Sequence, residues 1–247
     1  MKQTLFSATL DNGITLLGEE LPGVESVAVA FHVPAGAVHD GRGRCGLAAV
    51  AGELCLRGAG GMTGRQIVES LEGAGVQWAQ AVSSSHASVS GAMAARQLTA
   101  ALPVYADMIR RPRLAADQLE GARALILQNL AGIEDDPGHR VMTALRRMHF
   151  PDPWGMPAEG LSADVERIDI GAVREFVAAH MRPDGMIVAV AGRIDWEDFV
   201  RRIEALFGDW QPGPTVPVAT GRRGGHRQHV PHDSQQTHLA LAWSAPP

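Results

Sequence analysis

Between Gly46 and Gly58 runs Leu47-Ala48-Ala49-Val50-Ala51-Gly52-Glu53-Leu54-Cys55-Leu56-Arg57, an almost wholly apolar segment with one acid inside its pattern. Leu47, Val50, Ala51 and Leu54 recur at spacings of three and four, which predicts a helix whose apolar stripe other elements must cover. Ala49 and Glu53 stand one turn apart on the same side of that helix. Two histidines there, with a glutamate at position 52, would form a zinc site, because imidazoles one turn apart converge on one metal and the acid activates its water. The chain has alanine, glycine and glutamate at these three positions instead.

What surrounds this helix must come from a chain of 247 residues and 26.2 kDa, 45% hydrophobic, long enough to bury a sizeable core. A net charge of -5 and a pI near 6.0 give no basic footprint for nucleic acid or for an anionic membrane surface. No apolar run approaches the roughly 18 to 20 residues that cross a bilayer, and the opening Met1-Lys2-Gln3-Thr4 leads into alternating sequence, so the expectation is a cytoplasmic protein. Cys45 and Cys55 fall at opposite ends of the predicted helix and read as two reduced thiols.

Taken in order, Thr4 to Leu10 and Ile14 to Leu17 flank Asp11-Asn12-Gly13, a strong hairpin signal. Val27 to Val33 is a further strand, ended by Pro34. After the organising helix, Thr63-Gly64-Arg65-Gln66 reads as a capping box opening a second helix that Gly73 and Gly75 stop. Val76 to Val82 and His86 to Met93 alternate as antiparallel strands joined by Ser83-Ser84-Ser85. Helices are expected over 96–109 and 115–133, from Pro137 onward, over 169–181 and over 195–206, with a strand over 186–191. Residues 1–210 thus form one domain. Prolines and the run Gly221-Arg222-Arg223-Gly224-Gly225 mark 211–235 as a linker.

The segment Gly46-x-Ala48 through Glu53-Leu54-x-Leu56-Arg57-Gly58-Ala59 resembles the inverted-zincin segment of the insulinase and pitrilysin peptidases, the M16 family, which also includes the mitochondrial processing peptidases. Active members carry His-x-x-Glu-His there. Laid on this chain without a gap, that motif falls on Ala49, Gly52 and Glu53. Ala124-Leu125-Ile126-Leu127-Gln128-Asn129-Leu130 and Glu134-Asp135-Asp136-Pro137 are similar to a second family segment, in which the third zinc ligand, a glutamate, matches Asn129. The resemblance extends to the Asn12-Gly13 opening, to the 150–160 loop and to residues 236–247, similar to the first strand of the family's second domain. It implies an α+β fold, a largely antiparallel sheet covered by helices on one face.

The substitutions at Ala49, Gly52, Glu53 and Asn129 leave no catalytic or metal site to expect on this chain, and zinc would belong to a partner only. The resemblance then implies a non-catalytic homologue that pairs as a heterodimer with a zinc-bearing M16 subunit and binds peptide. The alternatives are a zinc metalloendopeptidase, as family membership alone would have it, or a purely structural member like the core subunits of respiratory complexes. In active members an extended substrate adds beside the strand that corresponds here to Val76–Val82, which places peptide or partner binding on Gln77, Trp78, Ala79 and Gln80. Trp78 is either a binding residue or an ordinary core tryptophan.

Three other sets of residues carry less. His226, His229, His232 and His238 surround Pro231 and share no helical face, so a polar linker explains them. Gly58-Ala59-Gly60-Gly61-Met62 lacks the lysine of a phosphate loop. Ser84, His86 and Asp107 could be drawn as a hydrolytic triad, but no nucleophile elbow accompanies them.

Overall fold

The computed structural model describes residues 4–214, 217–218, 220–222, 225, 227–231 and 236–244. Its chain begins with β1 (Leu5–Thr9) and β2 (Thr15–Glu20), joined by the Asn-Gly turn. Gly13 sits at φ 88°, a left-handed conformation that favours glycine, and the Asn12 amide donates to the Phe207 carbonyl at 2.7 Å. This turn therefore also ties the far end of the domain to its start.

Next come β3 (Ser26–Val33), α1 (Leu47–Leu56), a short hairpin of β4 (Gly58–Ala59) and β5 (Met62–Thr63), and α2 (Gly64–Gly73). The capping box is present at the head of α2, with Thr63 and Gln66 each satisfying the other's backbone N–H. β6 (Gln77–Val82) and β7 (Ala87–Ala94) follow as an antiparallel pair, then α3 (Leu98–Arg110) and α4 (Leu119–Glu134), each entered through a short 3-10 turn. Asp136 caps α5 (Pro137–His149), and α6 (Ser162–Val165), α7 (Ile170–His180), β8 (Ile187–Gly192) and α8 (Trp196–Phe207) complete the elements.

One six-stranded sheet carries the order β1-β2-β8-β3-β7-β6. Every neighbouring pair is antiparallel except β2 with β8. The expected α+β architecture is thus present, with one parallel pair that local periodicity does not announce, because strand direction depends on what lies between the strands. In β3, Val27, Val29, Phe31 and Val33 are buried while Ala28 is exposed and Ala30 and His32 are half-buried. β8 repeats this with Val188 and Val190 buried and Ala189 and Ala191 half-buried. The helices therefore cover one face, and the other face is a shallow concavity of about 700 Å³ lined largely by alanine, serine and glycine.

Beyond Phe207 the described residues form no helix or strand. Residues 237–244, which resemble a first strand, are assigned to no strand of either sheet among the described residues. Leu239, Leu241 and Trp243 are 82%, 71% and 77% exposed. Among the described residues no helix is long and apolar enough to cross a membrane.

Candidate functional site: a cleft beside an edge strand

The N-terminus of α1 is held by a buried acid. Asp40 is 5% exposed and accepts from the Gly46 N–H and the Ala48 N–H, each at 2.7 Å. Burial pushes its carboxyl up to about 7, against the pull of those backbone donors in the other direction. α1 then packs against α4, α7 and β6.

Within α1, Ala49 is buried and presents only a methyl group. Gly52 faces β6 so closely that a Cβ built there would lie 2.3 Å from Gln80 Nε2 and 3.2 Å from Val82 Cγ2. The Gln80 amide therefore takes the space that a side chain at position 52 would need. Glu53, about 100° further round, is half-buried and bound by Arg57, whose Nε donates at 3.1 Å and whose Nη2 lies 3.0 Å from the same carboxylate oxygen. Arg57 Nη2 also donates to the Gly121 carbonyl at 3.0 Å, joining α1 to α4. The pair is an i,i+4 bridge, and through Arg57 it fastens α1 to α4.

Asn129 lies two turns beyond Gly121 on α4, about 80° round from it by helical geometry, and it is exposed with no side-chain hydrogen bond among the described residues. The donor chemistry of these four positions does not fit zinc: alanine and glycine offer no ligand atom, the glutamate is committed to an arginine, and an amide oxygen is a weak uncharged donor. No group of three histidine, cysteine or acidic side chains able to hold a metal exists among the described residues.

β6 is an edge of the sheet, paired on one side only among the described residues. The Ser83 N–H donates to the His86 carbonyl at 2.8 Å, which fixes the phase of the antiparallel ladder. Counting back in alternation, Ala81, Ala79 and Gln77 exchange hydrogen bonds with β7, and the N–H and C=O groups of Val82, Gln80 and Trp78 point away from it. Four residues singled out from the sequence thus divide by role. Gln77 and Ala79 are exposed on the open face and give their main chain to the sheet. Trp78 and Gln80 turn their side chains toward the helices and their main chain toward solvent. Trp78 is half-buried and packs on the core, so its indole is a packing group and not a free contact.

The drawn triad does not assemble. Asp107 is bound to Arg111, Ser84 Oγ accepts from Arg146 Nη2 at 3.0 Å, and His86 Nδ1 meets Ser85 Oγ at 2.8 Å. His226 and His232 lie outside the described residues, while His229 and His238 join no ligand group. Sequence reading missed the Gln80–Gly52 contact and the reach of Arg146 to Ser84, since both depend on tertiary packing. The Glu53–Arg57 bridge did have a signal in its i,i+4 spacing.

Comparison with known proteins identifies the family of the fold. Residues 16–157 match the family described as "Insulinase (Peptidase family M16)", and residues 167–247 match "Peptidase M16 inactive domain". An uncharacterized zinc protease of Rickettsia bellii is 24% identical over 98% of this chain and 59% of its own length, and one of Mycobacterium leprae is 27% identical over 96% and 55%. The chain thus spans little more than half the length of these relatives. Among solved structures, a protease from Helicobacter pylori superimposes with a TM-score of 0.81 at 14% identity, covering 90% of this chain and 54% of its own. A peptidase M16 inactive domain from Pseudomonas fluorescens gives 0.78 at 18%, covering 87% and 52%. With more than half of its residues matched to the insulinase description and its sheet and helices shared with these structures, the chain belongs to the M16 peptidase family.

Proposed function

We propose that this chain is a non-catalytic M16 homologue that binds extended polypeptide along β6 and pairs as a heterodimer with a zinc-bearing M16 subunit. The observation that carries the reading is the pairing of an unsuitable donor set, Ala49, Gly52, an arginine-bound Glu53 and Asn129, with an intact edge strand beside it. Strand addition needs only outward main-chain groups, here those of Trp78, Gln80 and Val82, and so it survives the loss of a metal. Zinc and hydrolysis belong to the partner in this reading. Two buried, unpaired cysteines are in keeping with a reducing, cytoplasmic setting.

Fluorescence anisotropy with a labelled, β-prone peptide tests the binding half of the proposal. Saturable binding by the purified chain without hydrolysis supports it, and loss of that binding in Gln80→Pro localises it to β6. No binding by a folded chain, or binding unchanged in Gln80→Pro, overturns it. The pairing half is tested by mixing with a candidate zinc-bearing M16 subunit and looking for a 1:1 complex whose peptidase activity exceeds that of either chain alone.

A further inference from the structure

Most arginines of the folded domain have an acid beside them. Arg44, Arg57, Arg65, Arg110, Arg111, Arg123, Arg167, Arg182, Arg193, Arg201 and Arg202 all lie within 4.0 Å of a carboxylate. α5 is different. It contains Arg140, Arg146 and Arg147 and no acidic residue of its own, and none of the three has a carboxylate within 4.0 Å among the described residues. On a chain of net charge -5 this makes α5 a basic helix, with Asp135 and Asp136 at its entry near Arg140 and no acid within two turns before Arg146.

Its position gives it a use. Arg146 Nη2 donates to Ser84 Oγ at 3.0 Å, so the guanidinium stands at the tip of the β6–β7 hairpin, two residues past Val82. A strand paired with the outward groups of Trp78, Gln80 and Val82 advances about 3.3 Å per residue, and two or three further residues bring it alongside Ser84. That bond to serine uses one N–H of Arg146, and a guanidinium has five. Met142 on the same helix is 51% exposed and Phe150 just beyond it is 45% exposed, apolar surface next to the charge.

We infer that the β6 edge and Arg146 act together, selecting an extended peptide that carries a carboxylate two or three residues beyond the segment paired with Trp78–Val82. This deepens the peptide-binding reading above and rests on it. A carboxylate there accepts charge-assisted, bidentate hydrogen bonds from a guanidinium already held in place by Ser84, so little ordering is left to do on binding. The carboxylate can be an Asp or Glu side chain or the chain's own C-terminus. Arg140 and Arg147 add long-range attraction that salt screens.

The test uses fluorescein-labelled nonapeptides of alternating Thr and Val, with one Glu at the second or the eighth position because a strand can add in either direction. Matched controls carry Gln at that position, and a further pair ends in a free carboxylate or an amide. Binding is read by anisotropy against the whole chain. Expected are a Kd about tenfold lower for Glu than for Gln in one of the two placements, a preference that shrinks at high salt, and its loss in Arg146→Gln with the Gln peptide still bound as before. A preference for the free C-terminus over the amide that is lost in Arg146→Gln, with no Glu effect, assigns the terminus as the source of the carboxylate. Equal binding of all peptides overturns the inference and leaves strand addition standing, and so does a preference that persists in Arg146→Gln. Failure of every peptide to bind overturns both. A circular dichroism spectrum and melt of Arg146→Gln matching wild type are expected, since Arg146 is exposed.

Discussion

Of the four positions that match the family's motif residues, Gly52 and Glu53 make structural contacts here, Gly52 with β6 and Glu53 with Arg57. Arg57 neutralises a half-buried Glu53 and reaches the backbone of α4, so Arg57→Ala should destabilise the domain by about 1–2 kcal/mol in urea unfolding, more than an exposed pair would, because it strands a partly desolvated acid. Gly52→Ala sets two effects against each other: it removes a helix-interior glycine, worth up to about 1 kcal/mol, but its Cβ displaces the Gln80 amide and presses on the β-branched Val82, 3.2 Å away, so no net gain is expected in the same assay. Two titrating groups near α1 set opposing pH slopes. Asp40, raised to about 7 by burial, holds a proton in the folded state between roughly pH 4 and 7 where the unfolded chain has released it, so its contribution is present at low pH and lost as pH rises. His180 stacks on His39 with ring centroids 4.3 Å apart and is lowered to about 4, first by burial and then by the charges of His39 and Arg182. Its unfolded form binds a proton below about pH 6.5, so that contribution is full above this pH and lost as pH falls toward 4. Asp40 and His180 thus oppose one another between about pH 4 and 6.5, where His39 and His86, both lowered by burial, add to the rise of stability with pH. Asp40→Asn should make stability climb with pH across that window, and His180→Phe, which keeps a stacked ring, should tilt the profile toward lower stability as pH rises. Parallel profiles in all three proteins would contradict the two assignments.

At the scale of elements, β6 shows why main chain and side chain must be separated. A proline at 79 removes an N–H that the ladder to β7 uses, and should cost the sheet several kcal/mol, whereas a proline at 80 removes an outward N–H and should leave the melting temperature within a few degrees of wild type. Thermal unfolding of Ala79→Pro beside Gln80→Pro checks this register directly. Much of the element order is readable from the chain. Asn12-Gly13, the Thr63–Gln66 capping box and the stripe of α1 each carry a local signal strong enough to fix type and approximate bounds. The insertion of β8 between β2 and β3 is not local, since Val188 and Val190 alternate identically whichever neighbours they find. The same limit applies at the site. The sequence supplies Gly52 and Gln80 as separate letters, and only the packing of α1 on β6 reveals that one fills the space the other leaves. Trp78 likewise could be assigned to core or to edge only once the sheet had a side facing the helices.

At the scale of the molecule, the described residues form a sheet with helices on one face, an edge at β6 and an exposed apolar segment near the C-terminus. Leu239, Leu241 and Trp243 are spaced by two and largely exposed, the alternation of one strand face. In the heterodimer proposed above, replacing Leu239 and Leu241 with Lys should weaken association while leaving the unfolding midpoint of the chain unchanged, as read by analytical ultracentrifugation and circular dichroism. An M16 fold without M16 metal chemistry is what we propose for this chain. Its most direct test is the zinc content of the purified wild-type chain after dialysis, set beside that of Glu53→Gln. No stoichiometric zinc in either protein is the expected result; one zinc per wild-type chain, lost in Glu53→Gln, would contradict it.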